Sequence, residues 1–204
     1  MVRLILVRHG VTAWNKGDRF QGTRDISLSP EGKEQAHLLA ERLAQEELHA
    51  IYSSDLKRAW ETAARIASGR GIPITPEPRL RELDFGAWEG LTYREVEGQY
   101  PEALRRWQEN GWDEAPHGGE SLRQLIERVD KALREIFHKY PGQTVLIVAH
   151  GGSLQVLLCL TLNLIPKARW QFRLSPASVS ELYLDERGAI LTLFNDTCHL
   201  KGVR

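Results

Sequence analysis

Two segments of the chain place a histidine directly after a run of apolar residues and follow it with glycine. Leu4–Val7 come before Arg8-His9-Gly10, and Val145–Ala149 come before His150-Gly151. Short apolar runs of this kind predict strands buried on both faces of a parallel sheet. In open α/β sheets, ligands bind outside the carboxyl ends of the strands. Two parallel strands that end alike would therefore bring both imidazoles to one crevice.

Two arginines occupy positions from which they could join these histidines around an anion. Arg8 precedes His9, and Arg58 falls in the first turn of the helix predicted after the second strand. A cation is disfavoured at a helix N-terminus, so Arg58 is either a solvated surface residue or part of an anion site at that helix end. Arginine forks match the oxygens of a phosphoryl group, whose transfer depends chiefly on positioning and charge stabilisation. The four side chains together favour phosphoryl chemistry.

Such a reaction also needs a proton donor for the leaving alkoxide. The segment 79–90 offers three carboxyl groups for that role, those of Glu82, Asp84 and Glu89. Their spacing alone does not choose among them.

The elements that must position these residues follow a strand–helix alternation. Strands are predicted at 2–8, 50–53 and 144–149, a hairpin at 179–184 and 190–194, and helices from Pro30 to about Glu47, from Asp55 to Ala67, from Ser121 to about Lys139 and from Gly151 to Leu162. Trp14–Ile26 is predicted to be a loop. This order predicts an α/β fold, a three-layer α/β/α sandwich with a mostly parallel central sheet.

Residues 70–120 interrupt the alternation. Prolines at 73, 76 and 78 favour extended chain, and Thr92 with Glu95 predicts a capping box that opens a short helix. We interpret this segment as an insertion that covers the active-site edge of a single domain spanning residues 1–204, with Trp88 and Trp107 packed inside it.

Composition limits the classes of partner. Lysine and arginine together number 27, as do aspartate and glutamate, so no net charge attracts nucleic acid or a membrane surface. Two cysteines are too few for a disulfide framework, and the apolar run 4–7 is too short for a signal-peptide core. We expect a cytoplasmic protein that binds a small phosphorylated metabolite, with its oligomeric state (monomer or homodimer) left open.

Seven motifs of the chain, taken in order, resemble the histidine phosphatase superfamily, also called phosphoglycerate-mutase-like. The similarity covers nearly the whole chain and depends on seven segments: Arg8–Asn15, Phe20–Gly22, Leu28–Gly32, Ser53–Ala59, Leu83–Gly90, Gly118–Ser121 and Val148–Gly152.

The resemblance implies a mechanism that uses no metal ion or other cofactor. His9 would attack phosphorus while a backbone carbonyl holds its other ring nitrogen, and Glu82 aligns with the general acid and base of the family. Arg8, Arg58 and His150 would surround the phosphoryl oxygens as further catalytic residues. Substrate binding would involve those three, Glu82, and four positions that match phosphate contacts of the family: Asn15, Gln21, Gly22 and Gly151.

Within the superfamily, two segments favour a phosphatase over a cofactor-dependent phosphoglycerate mutase. Mutases typically read Phe-Thr-Gly-Trp where this chain has Phe20-Gln21-Gly22-Thr23, and Arg-His-Tyr-Gly where it has Leu83-Asp84-Phe85-Gly86. Residues 170–174 and 195–200 resemble α-ribazole phosphatases. The expected activity is therefore broad phosphomonoester hydrolysis, with α-ribazole 5′-phosphate as one candidate substrate. Mutase activity, a metal-dependent hydrolase and a non-catalytic phosphate-binding module are the alternatives.

Overall fold

The structure is a computed structural model, and it describes residues 1–202. Its strands are β1 Val2–Arg8, β2 Ala50–Ser53, β3 Ile74–Pro76, β4 Thr144–Ala149, β5 Val179–Asp185 and β6 Gly188–Asp196. Its α-helices are α1 Ala13–Lys16, α2 Pro30–Arg42, α3 Lys57–Ala67, α4 Tyr93–Gln99, α5 Pro101–Asn110, α6 Leu122–Lys139 and α7 Gly151–Thr161. Short 3₁₀ turns lie at Pro78–Leu80, Gly86–Trp88, Pro166–Gln171 and Cys198–Leu200. In this described part of the chain, none of the helices has the length and apolar character needed to cross a membrane.

The strands form one sheet of six in the order β3-β2-β4-β1-β5-β6. Strands β1, β2, β3 and β4 run parallel to one another, whereas β5 pairs antiparallel with β1 and β6 antiparallel with β5. In the β1–β4 pair, Arg8 lies opposite Ala149. The predicted parallel sheet with a closing hairpin is confirmed, and the two histidine-bearing strands are direct neighbours.

Helices cover both faces of this sheet. Leu4 and Leu6 of β1 pack into a core with α6 and α7, while Ile5 and Val7 pack on the opposite face with α2 and α3. Because alternate side chains of a strand point to opposite faces, a central strand between two helical layers needs an uninterrupted apolar run. The predicted three-layer α/β/α sandwich is confirmed.

Capping side chains start the helices where the sequence predicted. The Ser29 hydroxyl accepts a hydrogen bond from Gly32 N at 3.1 Å, and Thr92 and Ser121 each form a capping box. Helix α3 begins at Lys57, two residues after the predicted start. The short helix α1, capped by Thr12, overlaps the start of the predicted loop 14–26 and was not predicted.

The predicted end of α2 at about Glu47 was wrong, because the helix ends at Arg42. The guanidinium of Arg70, beyond the end of α3, donates hydrogen bonds to the carbonyls of Leu43 and Glu46. Carbonyls at a helix end need partners, and here a distant side chain supplies them instead of another helical turn.

The segment 70–120 contributes to the sheet and to its core. Its proline-rich start forms β3, which pairs with β2 at the edge of the sheet, and α5 follows α4; neither β3 nor α5 was anticipated. Trp88 is fully buried and Trp107 is 9 % exposed, and their rings pack edge to face with centroids 5.5 Å apart. The two rings pack against each other as predicted, and each also contacts an aromatic ring outside the segment, Phe20 for Trp88 and Trp170 for Trp107.

Candidate active site

His9 and His150 meet at the carboxyl ends of β1 and β4. Their ring centroids are 5.1 Å apart, and both residues are buried, with exposures of 2 % and 0 %. The His9 backbone N–H donates to the carbonyl of Ala149 at 3.0 Å, which continues the parallel pairing one residue past the strands. The sheet register therefore places the two imidazoles side by side.

The ring of His9 has a defined tautomer. Its Nδ1 lies 2.7 Å from the carbonyl oxygen of Gly10, and because a carbonyl can only accept, Nδ1 carries the proton. The lone pair is then on Nε2, the atom that a nucleophilic histidine would use. Gly10 permits this arrangement, since a Cβ there would lie 2.5 Å from the carbonyl oxygen of Gly32.

Ser54 orients the second histidine. This serine follows β2, is fully buried, and places its Oγ 2.8 Å from Nε2 of His150. The other ring nitrogen of His150, Nδ1, is buried without a hydrogen-bond partner in residues 1–202. Three neighbouring strands, β1, β2 and β4, thus each end in a residue of the site.

Arg8 and Arg58 each keep part of their guanidinium group free. Arg58 is fully buried, and its Nη1 and Nη2 donate to the carbonyls of Arg24 and Gly22, both at 2.7 Å. Arg8 donates through Nη1 to the carbonyl of Leu174. The Nε atoms of both arginines are buried and have no partner within the described residues. Leaving a buried donor unsatisfied costs about 1–3 kcal/mol, and an oxyanion at this point could satisfy the donors.

The electrostatics of the site keep the imidazoles neutral. Burial, followed by the charges of Arg58 and Arg8, holds the pKa of His9 well below its ordinary value. Burial and the same arginines, with His9, lower the pKa of His150 as well. Burial lowers the pKa of Arg58 to about 10, so this guanidinium remains charged at neutral pH. The site therefore combines a neutral imidazole with fixed positive charge in a chain of zero net charge.

Glu82 lies at the N-terminus of α7, beside the site. Its Oε2 accepts from the backbone N–H of Gly152 at 3.0 Å, and its Oε1 accepts from the N–H of Leu83 at 2.8 Å. A Cβ on Gly151 would lie 3.6 Å from the Arg8 guanidinium carbon and 3.7 Å from Glu82 Oε2, and a Cβ on Gly152 would collide with Oε1. Glycine at position 152 thus allows the Glu82 carboxylate to approach, whereas a Cβ at position 151 would make only ordinary van der Waals contact.

The other two carboxylates are committed elsewhere. Asp84 Oδ1 accepts from the N–H of Gly86 at 2.8 Å, and Glu89 Oε1 accepts from the N–H of Thr23 at 2.7 Å. Burial raises the pKa of Glu89, whose role is to join two loops. Glu82, in contrast, lies beside His150, where the N–H of Gly152 holds its carboxylate, so the geometry favours Glu82 over Asp84 and Glu89 as the proton donor.

The loop residues matched to phosphate contacts are joined through Thr12. Asn15 Oδ1 accepts from the Thr12 N–H at 2.9 Å, and Gln21 Oε1 accepts from the Thr12 hydroxyl at 2.9 Å. This use of the side-chain oxygens leaves the NH₂ groups as donors for an anion. Gly22, at a positive φ of 53°, presents its carbonyl to Arg58 and so helps to hold that arginine in place.

Arg128 is a positioning residue that sequence reasoning missed. From α6 it donates to the carbonyls of Arg79 and Arg81, both at 2.7 Å, and to that of Glu82 at 2.8 Å. Glu120 neutralises it, with Glu120 Oε1 2.9 Å from Arg128 Nε. One guanidinium therefore fixes the loop that carries Glu82, across 46 residues of sequence.

Neither Arg128 nor Ser54 could be assigned from its sequence position. Arg128 lies among other charged residues of an amphipathic helix, and Ser54 stands beside another serine.

No group of three or more histidine, cysteine, aspartate or glutamate side chains that could hold a metal ion occurs in residues 1–202.

The neutral, buried histidines make a prediction about stability. Unfolded, His9 and His150 titrate near a pKa of about 6.5, whereas in the folded chain they stay neutral to well below that value. Below pH 6.5 the unfolded state therefore binds more protons, and the free energy of unfolding should fall as pH decreases, by up to about 1.4 kcal/mol per pH unit for each histidine. Urea denaturation between pH 7.5 and 5.5 measures this slope.

In a His150→Gln variant, the free energy of unfolding should depend less steeply on pH, by the contribution of one histidine. His138, an exposed residue near the end of α6, provides the control, because a His138→Gln variant should retain the slope of the native protein. Equal slopes in the native protein and the His150→Gln variant would contradict the neutral, buried state of His150.

Comparison with known proteins agrees with this geometry. The sequence profile of the histidine phosphatase superfamily (branch 1) matches residues 4–197. Phosphoserine phosphatase 1 of Hydrogenobacter thermophilus is 40 % identical over 200 residues, which cover 98 % of this chain and 95 % of that protein. The metal-independent phosphoserine phosphatase of Arabidopsis thaliana is 38 % identical over 206 residues, covering 100 % of this chain and 85 % of its relative.

A solved structure extends the likeness to the fold. The α-ribazole phosphatase of Shigella flexneri superposes with a TM-score of 0.89 at 28 % identity, covering 95 % of this chain and 96 % of that one. Sequence profile, relatives and fold all agree with the resemblance seen in the motifs. The chain belongs to the histidine phosphatase superfamily, in its branch 1.

Proposed function

We propose that this protein hydrolyses phosphomonoesters of small metabolites through a covalent phosphohistidine on His9, with Glu82 as general acid and base. The observation that carries the proposal is the arrangement of the side chains in the candidate active site. A neutral imidazole with its lone pair on Nε2 lies beside Arg8, Arg58 and His150, each with a buried ring or guanidinium nitrogen that lacks a partner among the described residues. Those are the donors that a phosphoryl group would satisfy.

The first half-reaction transfers the phosphoryl group to the protein. Nε2 of His9 attacks phosphorus in line, the N–P bond forms, and the bond from phosphorus to the leaving oxygen breaks. Arg8, Arg58 and His150 stabilise the charge on the equatorial oxygens, with Asn15, Gln21 and the backbone amide of Gly151 as further donors. The carboxyl group of Glu82 gives its proton to the departing alkoxide.

The second half-reaction returns His9 to its starting state. The Glu82 carboxylate takes a proton from water, whose oxygen attacks phosphorus as the N–P bond breaks. Inorganic phosphate leaves, and Glu82 is again protonated for the next cycle. Because both half-reactions use the same acid and base, the arrangement needs no other proton carrier.

Two candidate substrates have specific support. α-Ribazole 5′-phosphate is suggested by residues 170–174 and 195–200 and by the similar fold of the Shigella α-ribazole phosphatase. Phosphoserine is suggested by the greater sequence identity with enzymes named phosphoserine phosphatases. We propose the protein as a cytoplasmic enzyme acting on this class of small phosphorylated metabolite.

Phosphate release from a panel of phosphomonoesters tests the proposal. The panel contains phosphoserine, α-ribazole 5′-phosphate, phosphoglycerates and p-nitrophenyl phosphate, each assayed with and without EDTA. We expect release with equal rates in both conditions, because the nucleophile and the charge stabilisation come from side chains. Loss of activity on chelation would favour a metal-dependent hydrolase, interconversion of phosphoglycerates without phosphate release would favour a mutase, and binding without turnover would favour a phosphate-binding module.

A further inference from the structure

Three arginines in residues 1–202 share one property, a buried Nε without a hydrogen-bond partner: Arg8, Arg58 and Arg169. The first two belong to the phosphoryl site. Arg169 lies on the 3₁₀ turn 166–171, is 5 % exposed, and stacks its guanidinium 3.9 Å from the ring centroid of Trp170. Burying an arginine without an anionic partner is costly, so its placement calls for a role.

Arg169 borders a cavity of about 420 Å³, a volume within the range of small-molecule sites. Tryptophan rings, Leu122 and two cationic side chains contribute to its lining: Trp107, Trp112, Leu122, Lys167, Arg169 and Trp170. The one acidic side chain of that lining, Glu109, is already bound by Arg105 through two hydrogen bonds of 3.0 and 2.9 Å. The cavity therefore offers apolar walls and positive charge.

The segment that follows Arg169 connects this cavity to the phosphoryl site, because Arg8 of that site donates through Nη1 to the carbonyl of Leu174. The charge of Glu82 also acts on all three arginines, raising the pKa of each against the lowering by burial. The turn that carries Arg169 is fixed beside α7, because Gln155 of that helix donates to the Phe172 carbonyl at 2.6 Å. The same helix holds the Glu82 carboxylate at its N-terminus, so one helix positions both Glu82 and the turn of Arg169.

We infer that Arg169 binds a second anionic group of the substrate, a carboxylate or a second phosphate carried by the leaving alcohol, with Lys167 contributing positive charge at the mouth. This inference rests on the proposed function and narrows it. The substrate class becomes small phosphate esters of acidic alcohols. A neutral leaving alcohol such as α-ribazole would bring no second anion to Arg169.

Pairs of substrates that differ in one charged group test this directly. O-Phosphoserine and O-phosphoethanolamine differ by a carboxylate; propane-1,3-diol bisphosphate and 3-hydroxypropyl phosphate differ by a phosphate. For the native protein we expect kcat/KM to favour the acidic member of one pair. In Arg169→Met, that preference should fall by about 10- to 100-fold, the range for loss of a hydrogen bond between charged groups. The pair that responds identifies the anion.

Arg173→Met is the matched control, since Arg173 is an exposed residue of the same segment, and its preference should equal that of the native protein. Thermal denaturation of both variants checks folding. An equal fall on both members of each pair, an unchanged preference in Arg169→Met, or native selectivity for α-ribazole 5′-phosphate over every acidic ester would overturn the inference. If the native protein turns over no phosphomonoester at all, it is the proposed function that fails.

Discussion

A His9→Ala variant is expected to lose about 10⁴- to 10⁶-fold in kcat, the loss typical of removing a nucleophile that works as one unit with its partners. Such a loss corresponds to about 5–8 kcal/mol of transition-state stabilisation. The physical reason is that alanine has no lone pair to form the N–P bond, and no other imidazole in the site has the same geometry. His150 cannot substitute, because its Nε2 contacts Ser54 and its Nδ1 is the atom assigned as donor to the phosphoryl oxygens. Steady-state phosphate release from p-nitrophenyl phosphate measures the loss.

The control for that experiment is His138→Ala, which removes an exposed histidine on α6 and should leave kcat within about twofold. His9→Ala should still bind inorganic phosphate, because Arg8, Arg58 and His150 remain. Binding is measurable as an increase in thermal stability with phosphate concentration. A His9→Ala variant that binds phosphate and keeps more than about one hundredth of the native kcat would refute the role of His9.

The second large effect concerns Glu82 and depends on the leaving group. In Glu82→Gln the amide cannot donate a proton, so turnover of alkyl phosphates should fall by about 10²- to 10⁴-fold, the range for loss of a general acid. Turnover of p-nitrophenyl phosphate should fall much less in its first half-reaction, because nitrophenolate leaves without protonation. Burst kinetics with both substrates separate phosphorylation of the protein from hydrolysis of the phosphohistidine.

Asp84→Asn tests the assignment of the acid against its nearest competitor. Asp84 contacts the backbone of Gly86, so any loss in this variant should be the same for aryl and alkyl phosphates. The opposite result, a leaving-group dependence in Asp84→Asn and none in Glu82→Gln, would move the role of the acid from Glu82 to Asp84.

Features that depend on neighbouring residues could be predicted from the sequence. The strands that precede His9 and His150 and the capping boxes at Thr92 and Ser121 follow from local periodicity and local hydrogen bonding. The pairing of the two histidines is long-range, and it followed from the rule that ligands bind at the carboxyl ends of parallel strands. The similarity between residues 4–10 and 145–151 was the most informative feature for the site, because it predicted two strands of one sheet that each end at a histidine.

Features that depend on long-range contacts could not be predicted in this way. The end of α2 is set by Arg70, which donates to the Leu43 carbonyl 27 residues away in sequence. The loop of Glu82 is fixed by Arg128, and His150 is oriented by Ser54, 96 residues away. Arg169 shows the same limit, since its burial without an anionic partner can be seen only after the chain has folded. In each case a common charged or polar residue acquires its role from tertiary structure.

The most direct test of the account is to trap the phosphorylated protein. Incubation with a ³²P-labelled phosphomonoester, followed by rapid quench and peptide mapping, should place label that is stable to alkali and labile to acid on the peptide containing His9. Labelling should approach one phosphate per site before steady state and be absent in His9→Ala. Full turnover without such label, or label on another residue, would contradict the phosphohistidine mechanism.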